Sequence, residues 1–181
     1  MTSLYLLRHA KAAREAPGGR DDHARPLTEI GEAAADALGA HLASQRQAPP
    51  DLVLCSTAER ARQTAQRVLT CWLGAVPPVQ YERRLYLCGP AALLARLQEV
   101  PESCASVLLI GHNPDMHLLA VGLAGRGPAD LLASLRHKYP TGAWTELKLG
   151  HTPWAQLEAG SAKLVDFVVP RSLLSAFRPE I

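Results

Sequence analysis

Three short apolar runs constrain this chain more than any other feature. They are Ser3 to Leu7 (SLYLL), Asp51 to Cys55 (DLVLC) and Ser106 to Ile110 (SVLLI). Each has the length of a strand and none alternates apolar with polar, so each predicts a strand covered on both faces. A helical pattern follows each run. After the polar, turn-like stretch Lys11 to Arg25, Thr28 is a plausible N-cap. Apolar residues then recur at Ile30, Ala33, Ala34, Ala37, Leu38 and Leu42 on one helix face, stopping before Pro49-Pro50. Ser56-Thr57 open a helix through Ala61, Ala65, Val68, Leu69 and Trp72, closed by Gly74, and Gly111-His112-Asn113-Pro114 lead into a helix from Asp115 to Leu123. Parallel strands need such helical crossovers, so the alternation predicts an α/β domain: a single-domain α/β/α sandwich with a largely parallel central sheet.

The remaining segments fit that plan. Pro78 to Glu82 reads as a further strand, Gly89-Pro90 starts a helix over Ala91 to Val100, and a short helix is expected over 129–136. Ala143–Leu149 and Lys163–Val169 read as strands that pair as neighbours. No internal repeat or linker divides residues 1–181, so one domain is expected. A composition 48% hydrophobic and 20% charged excludes disorder, and a formal charge of +2 is too small for the electrostatic footprint of a nucleic-acid binder. Cys55, Cys71, Cys88 and Cys104 form no closely spaced pair, which suggests buried reduced thiols rather than a zinc site or disulfide framework. Leu4 to Leu7 meet Arg8 and His9 at once, too soon for a membrane span or signal peptide. A cytoplasmic protein with no membrane partner is the expectation.

In open α/β sheets ligands bind beyond the carboxyl ends of the strands. Arg8-His9 follow the first run, Ser56 and Arg60 the second, and His112-Asn113 the third. Two guanidiniums offer planar forks to phosphate oxygens, a neutral imidazole can attack phosphorus, and a second imidazole can hydrogen-bond the equatorial oxygens. Together these residues point to phosphoryl transfer onto histidine.

The same segments carry a resemblance. Leu4-Tyr5-Leu6-Leu7-Arg8-His9-Ala10 resembles the first-strand Arg-His signature of the histidine phosphatase superfamily, with Ala10 where glycine is commoner. Ser56 to Ala65 (STAERARQTA) is similar to its S-x-x-x-R-A-x-Q-T-A element, and Leu109 to Pro114 resembles its second-histidine element. Arg25 to Gly31 (RPLTEIG) and the short chain resemble the SixA-type phosphohistidine phosphatases more than the longer phosphoglycerate mutases. The motifs lie between about residue 4 and residue 124, and the rest of the chain fits in its strand pattern. The resemblance implies a phosphoglycerate-mutase-like fold and a phosphatase in which His9 is the nucleophile, with Arg8, Arg60 and His112 gripping the phosphoryl group. It implies no cofactor and no metal, since two arginines supply the charge that a loose phosphoryl transition state needs. They also disfavour protonation of His9, which keeps it nucleophilic near neutral pH.

Other residues have two readings. Arg25 is placed to reach the phosphate or a substrate carboxylate, or to make a loop-surface salt bridge. Glu82 is a general-acid candidate for alcohol phosphates, or a partner of Arg83 or Arg84. Asn113 is expected to cap the helix opened by Pro114. Ser56 either hydrogen-bonds near the phosphate or caps its own helix, while Gln63 and Thr64 read as packing and local hydrogen-bond residues of that helix. Lys11, Arg14, Arg20, Asp21, Asp22 and His23 read as a solvated loop surface. The expected partner is a phosphorylated protein, such as a histidine phosphotransfer domain or phosphocarrier, recognised by loop residues 11–25 and the C-terminal third. The alternatives are a phosphatase for small phosphomonoesters and a non-catalytic phosphate-binding module.

Overall fold

Alternate residues of the first apolar run enter two different hydrophobic cores. In the computed structural model, which describes residues 2–19, 21–45, 48–72, 76–170 and 173, the strands are β1 (Thr2–Arg8), β2 (Leu52–Ser56), β3 (Val79–Glu82), β4 (Ser106–Gly111), β5 (Ala124–Arg126), β6 (Trp144–Gly150) and β7 (Ala162–Val168). The helices are α1 (Glu29–Ser44), α2 (Glu59–Val68), α3 (Pro90–Gln98), α4 (Asp115–Leu123) and α5 (Ala129–His137). Leu4 and Leu6 of β1 join Leu54, Leu109, Leu97 of α3 and Leu119 of α4 in one core. Tyr5 and Leu7 join Val53, Ile110, Leu38 of α1 and Val68 of α2 in the other. A strand covered on both faces has no use for alternation, which explains the unbroken apolar runs.

The sheet runs in the order β3-β2-β4-β1-β6-β7-β5. β3, β2, β4 and β1 are mutually parallel, so their carboxyl ends share one edge. β6 lies antiparallel to β1 on its other side, and β7 antiparallel to β6, as expected for neighbours. Largely parallel, the sheet is sandwiched between helices as the alternation predicts. β5 was not expected. It directly follows α4 and pairs with β7, and its three residues are too few for a pattern to show. Its approach requires glycine at 125, where a Cβ would lie 2.0 Å from the Gly160 carbonyl oxygen.

The second helix also departs from expectation. It starts at Glu59, because Ser56 completes β2 and the Thr57 hydroxyl is engaged by His23 at 2.9 Å. Past Val68 it tightens into a 3-10 turn over Leu69–Cys71, while Gly74 lies outside the described residues. Among the described residues no helix is long and apolar enough to cross a membrane.

Helix α1 is locked to the end of the loop that follows β1. Thr28 caps it, its hydroxyl accepting from Gly31 N–H at 3.1 Å, and Thr28 N–H donates to the Lys11 carbonyl at 2.9 Å. A Cβ at Gly31 would lie 2.1 Å from that carbonyl oxygen. Gly31→Ala should therefore destabilise the protein by about 1–3 kcal/mol, the range for overpacking, as read from the urea midpoint. An unchanged midpoint would show that the loop yields freely.

Candidate active site

The parallel strands deliver their polar followers to one edge of the sheet. Arg8 ends β1 and His9 follows it, Ser56 ends β2, Arg60 sits in the first turn of α2, and His112 follows β4. A cavity of about 320 Å³ at that edge is lined by Arg8, His9, Arg60 and His112 together with Asp22 and Arg25.

His9 is buried, and its Nδ1 lies 2.7 Å from the Ala10 carbonyl. A carbonyl only accepts, so Nδ1 carries the proton and Nε2 the lone pair. Arg60 Nε–H donates to that lone pair over a long 3.3 Å. Burial, opposed by the Ala10 hydrogen bond and reinforced by the cations of Arg60, Arg8 and Arg25, lowers the His9 pKa to about 4. The ring is thus a neutral base at pH 7. The His112 ring centroid lies 5.1 Å from that of His9. Burial first, then His9 and Arg60, lower its pKa to about 3. Its Nε2 is 2.8 Å from the Ser56 hydroxyl, and its Nδ1 is buried with no partner among the described residues.

Both arginines are braced from behind. Arg8 donates from Nη1 to the Tyr139 carbonyl at 2.8 Å and keeps a buried Nε with no partner among the described residues. Arg60 donates from Nη1 to the Asp22 carbonyl at 2.6 Å and from Nη2 to the Asp22 carboxylate at 2.9 Å. Its guanidinium lies over the Tyr86 ring, 5.7 Å from the centroid. Two braced cations and two neutral imidazoles around one cavity suit a phosphoryl group, with charge placed before any ligand arrives.

A family model, the histidine phosphatase superfamily (branch 1), matches residues 4–86. A Mycobacterium tuberculosis protein of uncharacterized function is 38% identical over 168 residues, 91% of this chain and 100% of the relative. The chain belongs to the histidine phosphatase superfamily. Two solved structures, each named a putative phosphohistidine phosphatase SixA, are similar along nearly their whole length. The one from Agrobacterium tumefaciens is 36% identical with a TM-score of 0.77, covering 93% of this chain and 98% of that one. The one from Nakamurella multipartitia is 30% identical with a TM-score of 0.78, covering 93% and 96%. Membership makes the protein a phosphatase, with the phosphoglycerate-mutase-like fold expected from its motifs.

In this histidine phosphatase the other expected residues divide. Arg25 makes the salt bridge foreseen as one of its two readings, pairing with Asp22 at 2.7 Å and donating to the Ala13 carbonyl at 2.9 Å, and it lines the cavity. Glu82 is not brought into the cavity. Arg96 holds its carboxylate through Nε and Nη2, Arg84 donates to it at 2.6 Å, and these bonds outweigh burial to lower its pKa. Asn113 does not cap α4. Its side chain reaches to the Tyr139 carbonyl at 2.9 Å, and α4 starts behind Pro114 with no side-chain cap. Gln63 and Thr64 do more than local work. Gln63 accepts from Leu27 N–H at 2.7 Å, and the Thr64 hydroxyl accepts from Ala10 N–H at 3.0 Å while donating to the Arg60 carbonyl at 2.6 Å. That hydroxyl ties the residue after His9 to the turn that carries Arg60.

Two residues escaped the sequence reading. Asp22, expected on a solvated surface, holds Arg60 and Arg25 and accepts from the Tyr86 hydroxyl. The Tyr86 bond and Arg60, against the opposing effect of burial, take its pKa to about 2. Its spacing from Arg25, one helical turn away, was the available signal. Tyr139 acts through its backbone carbonyl, shared by Arg8 and Asn113, for which a sequence carries no sign.

Proposed function

We propose that this histidine phosphatase hydrolyses protein phosphohistidine through a covalent phosphohistidine on His9. The observation that carries the reading concerns protons. Asp22 is the sole carboxylate among the described residues lining the cavity, and it is ionised and already bonded to Tyr86 and Arg60. Glu82 is held elsewhere by Arg96 and Arg84. Among the described residues the cavity therefore offers no carboxylic acid with which to protonate a departing alkoxide. Phosphohistidine needs none, because a substrate ring protonated on its distal nitrogen leaves as neutral imidazole.

The steps balance without an acid. His9 Nε2 attacks phosphorus, forming an N–P bond as the substrate N–P bond breaks, while Arg8, Arg60 and His112 hold the three equatorial oxygens. His9 keeps its Nδ1 proton on the Ala10 carbonyl throughout, so the phosphorylated ring is itself a protonated phosphohistidine. Water then attacks phosphorus, its proton leaves with phosphate, and His9 departs as the same neutral tautomer. The cavity, about 320 Å³, is at the small end of the roughly 300–1,000 Å³ range of small-molecule sites. It holds a phosphoryl group and a ring, leaving the remainder of a protein substrate, such as a phosphotransfer domain or phosphocarrier, outside.

A leaving-group series tests the reading. Phosphohistidine should be turned over with a kcat/KM at least about 10²-fold above that of an alkyl phosphate, the low end of what a general acid supplies. Glu82→Gln should stay within a few-fold of wild type on both. Efficient alkyl phosphate hydrolysis that collapses in Glu82→Gln would replace the proposal with a small-phosphomonoester enzyme.

A further inference from the structure

The geometry points to Ser56 as the residue that fixes which nitrogen of His112 carries the proton, turning that ring into a hydrogen-bond donor for the phosphoryl group. Ser56 has no exposure to solvent. Its hydroxyl oxygen lies 3.3 Å from Ala58 N and 2.8 Å from His112 Nε2. Ala58 N–H is a donor only, so it takes an oxygen lone pair.

The hydroxyl proton then has one place to go. If His112 Nε2 carried a proton, both contacts of the hydroxyl would be donors toward it. Its own proton would be left buried and unpaired, with the desolvation of the hydroxyl uncompensated. With the serine donating, all three groups are satisfied: Ala58 N–H to Ser56 Oγ, and Ser56 O–H to the Nε2 lone pair. The one proton of the neutral His112 ring is then on Nδ1, the buried atom that has no partner among the described residues. An orphaned N–H in a residue that lines the cavity is a donor waiting for an acceptor, and a phosphoryl oxygen is one.

The two site histidines thus share a tautomer and use it in opposite ways. His9 spends its Nδ1 proton on the Ala10 carbonyl and presents a lone pair, whereas His112 spends its lone pair on Ser56 and presents a proton. Two equal neutral rings in one cavity would otherwise have no reason to divide the roles of nucleophile and donor. Ser56 touches neither phosphorus nor its oxygens in this scheme. It is a positioning residue, acting through His112 as the partners of metal-bound histidines act through their ligands.

The test uses the full chain with ¹⁵N-labelled histidine, the His112 ring being assigned by loss of its signals in His112→Gln. Two-bond ¹H–¹⁵N correlations at pH 7 should show wild-type His112 protonated at Nδ1 and bare at Nε2. In Ser56→Ala the Nε2-protonated form should appear, and kcat should fall about 10- to 100-fold, the scale of losing a partner that orients a site histidine. Ser56→Thr, which keeps the hydroxyl, should recover most of that loss. A wild-type spectrum with the proton on Nε2 would overturn the inference without any variant, even if Ser56→Ala failed to fold. So would a Ser56→Ala protein with an unchanged tautomer. The kinetic arm rests on the proposed phosphoryl transfer and the spectrum does not. A tautomer that responds while kcat stays fixed would uphold Ser56 as its control and remove His112 from contact with the phosphoryl group.

Discussion

His9→Ala should abolish turnover, and wild-type enzyme quenched during turnover should carry a phosphoryl group on His9 that is labile in acid and stable in alkali. The expectation follows from an Nε2 lone pair in the cavity of a ring whose other nitrogen is committed to the Ala10 carbonyl. The same ring sets the acid limb of the pH profile. Protonation at Nε2 destroys the nucleophile, and its pKa is lowered to about 4, so activity is present above that pH and lost as pH falls through it. With substrate ionisation corrected for, kcat/KM should hold through pH 6 and break near 4. An unshifted histidine would break near 6.5. A label on serine or cysteine, or a variant with full activity, would reject the mechanism.

Arg60→Ala should cost about 10²–10³-fold in kcat with the fold intact by circular dichroism, the loss measured for one preorganised charge-stabilising donor. Arg60 is almost wholly buried, and one guanidinium reaches His9 through Nε and Asp22 through both Nη atoms. That planar fork is the reason Arg60→Lys should rescue little. An ammonium is a point charge that cannot meet three acceptors in one plane. Near-normal kinetics in the alanine variant would demote Arg60 to a brace for the loop that carries Asp22.

The strand ends were legible because the physics behind them is local. An apolar run that breaks into Arg8-His9 or His112-Asn113 declares both a buried strand and the polar group set at its carboxyl end, with no knowledge of the rest of the chain. What was left open or misread depended on distant partners. Glu82 has a carboxylate near a strand end, as a general acid would, and of its two readings the pairing with Arg84 holds, while Arg96 also reaches it from α3, fourteen positions along the chain. Asp22 sits among charged neighbours that hide it, and only the fold shows that Arg60, Arg25 and Tyr86 converge on it. Tyr139 contributes a peptide carbonyl that any residue type would supply. The C-terminal third therefore holds Arg8 in place without a motif of its own.

The long excursion between β1 and α1 is stitched shut at its base. Ala12 pairs with Leu27, Ala13 N–H donates to the Pro26 carbonyl at 2.8 Å, and Gln63 holds Leu27 from α2. Asp22 and Arg25 lie on the returning arm, fastened to Arg60 and to the Ala13 carbonyl. The stretch from Arg14 to Gly19 lies outside these fastenings and includes glycines at positive φ with open space around them. Evolution can therefore lengthen, shorten or recharge that tip without disturbing the residues that line the cavity. On the proposed phosphohistidine reading, chimaeras that exchange the tip between homologues should change which phosphoprotein is preferred while the rate on a small phosphohistidine substrate stays the same.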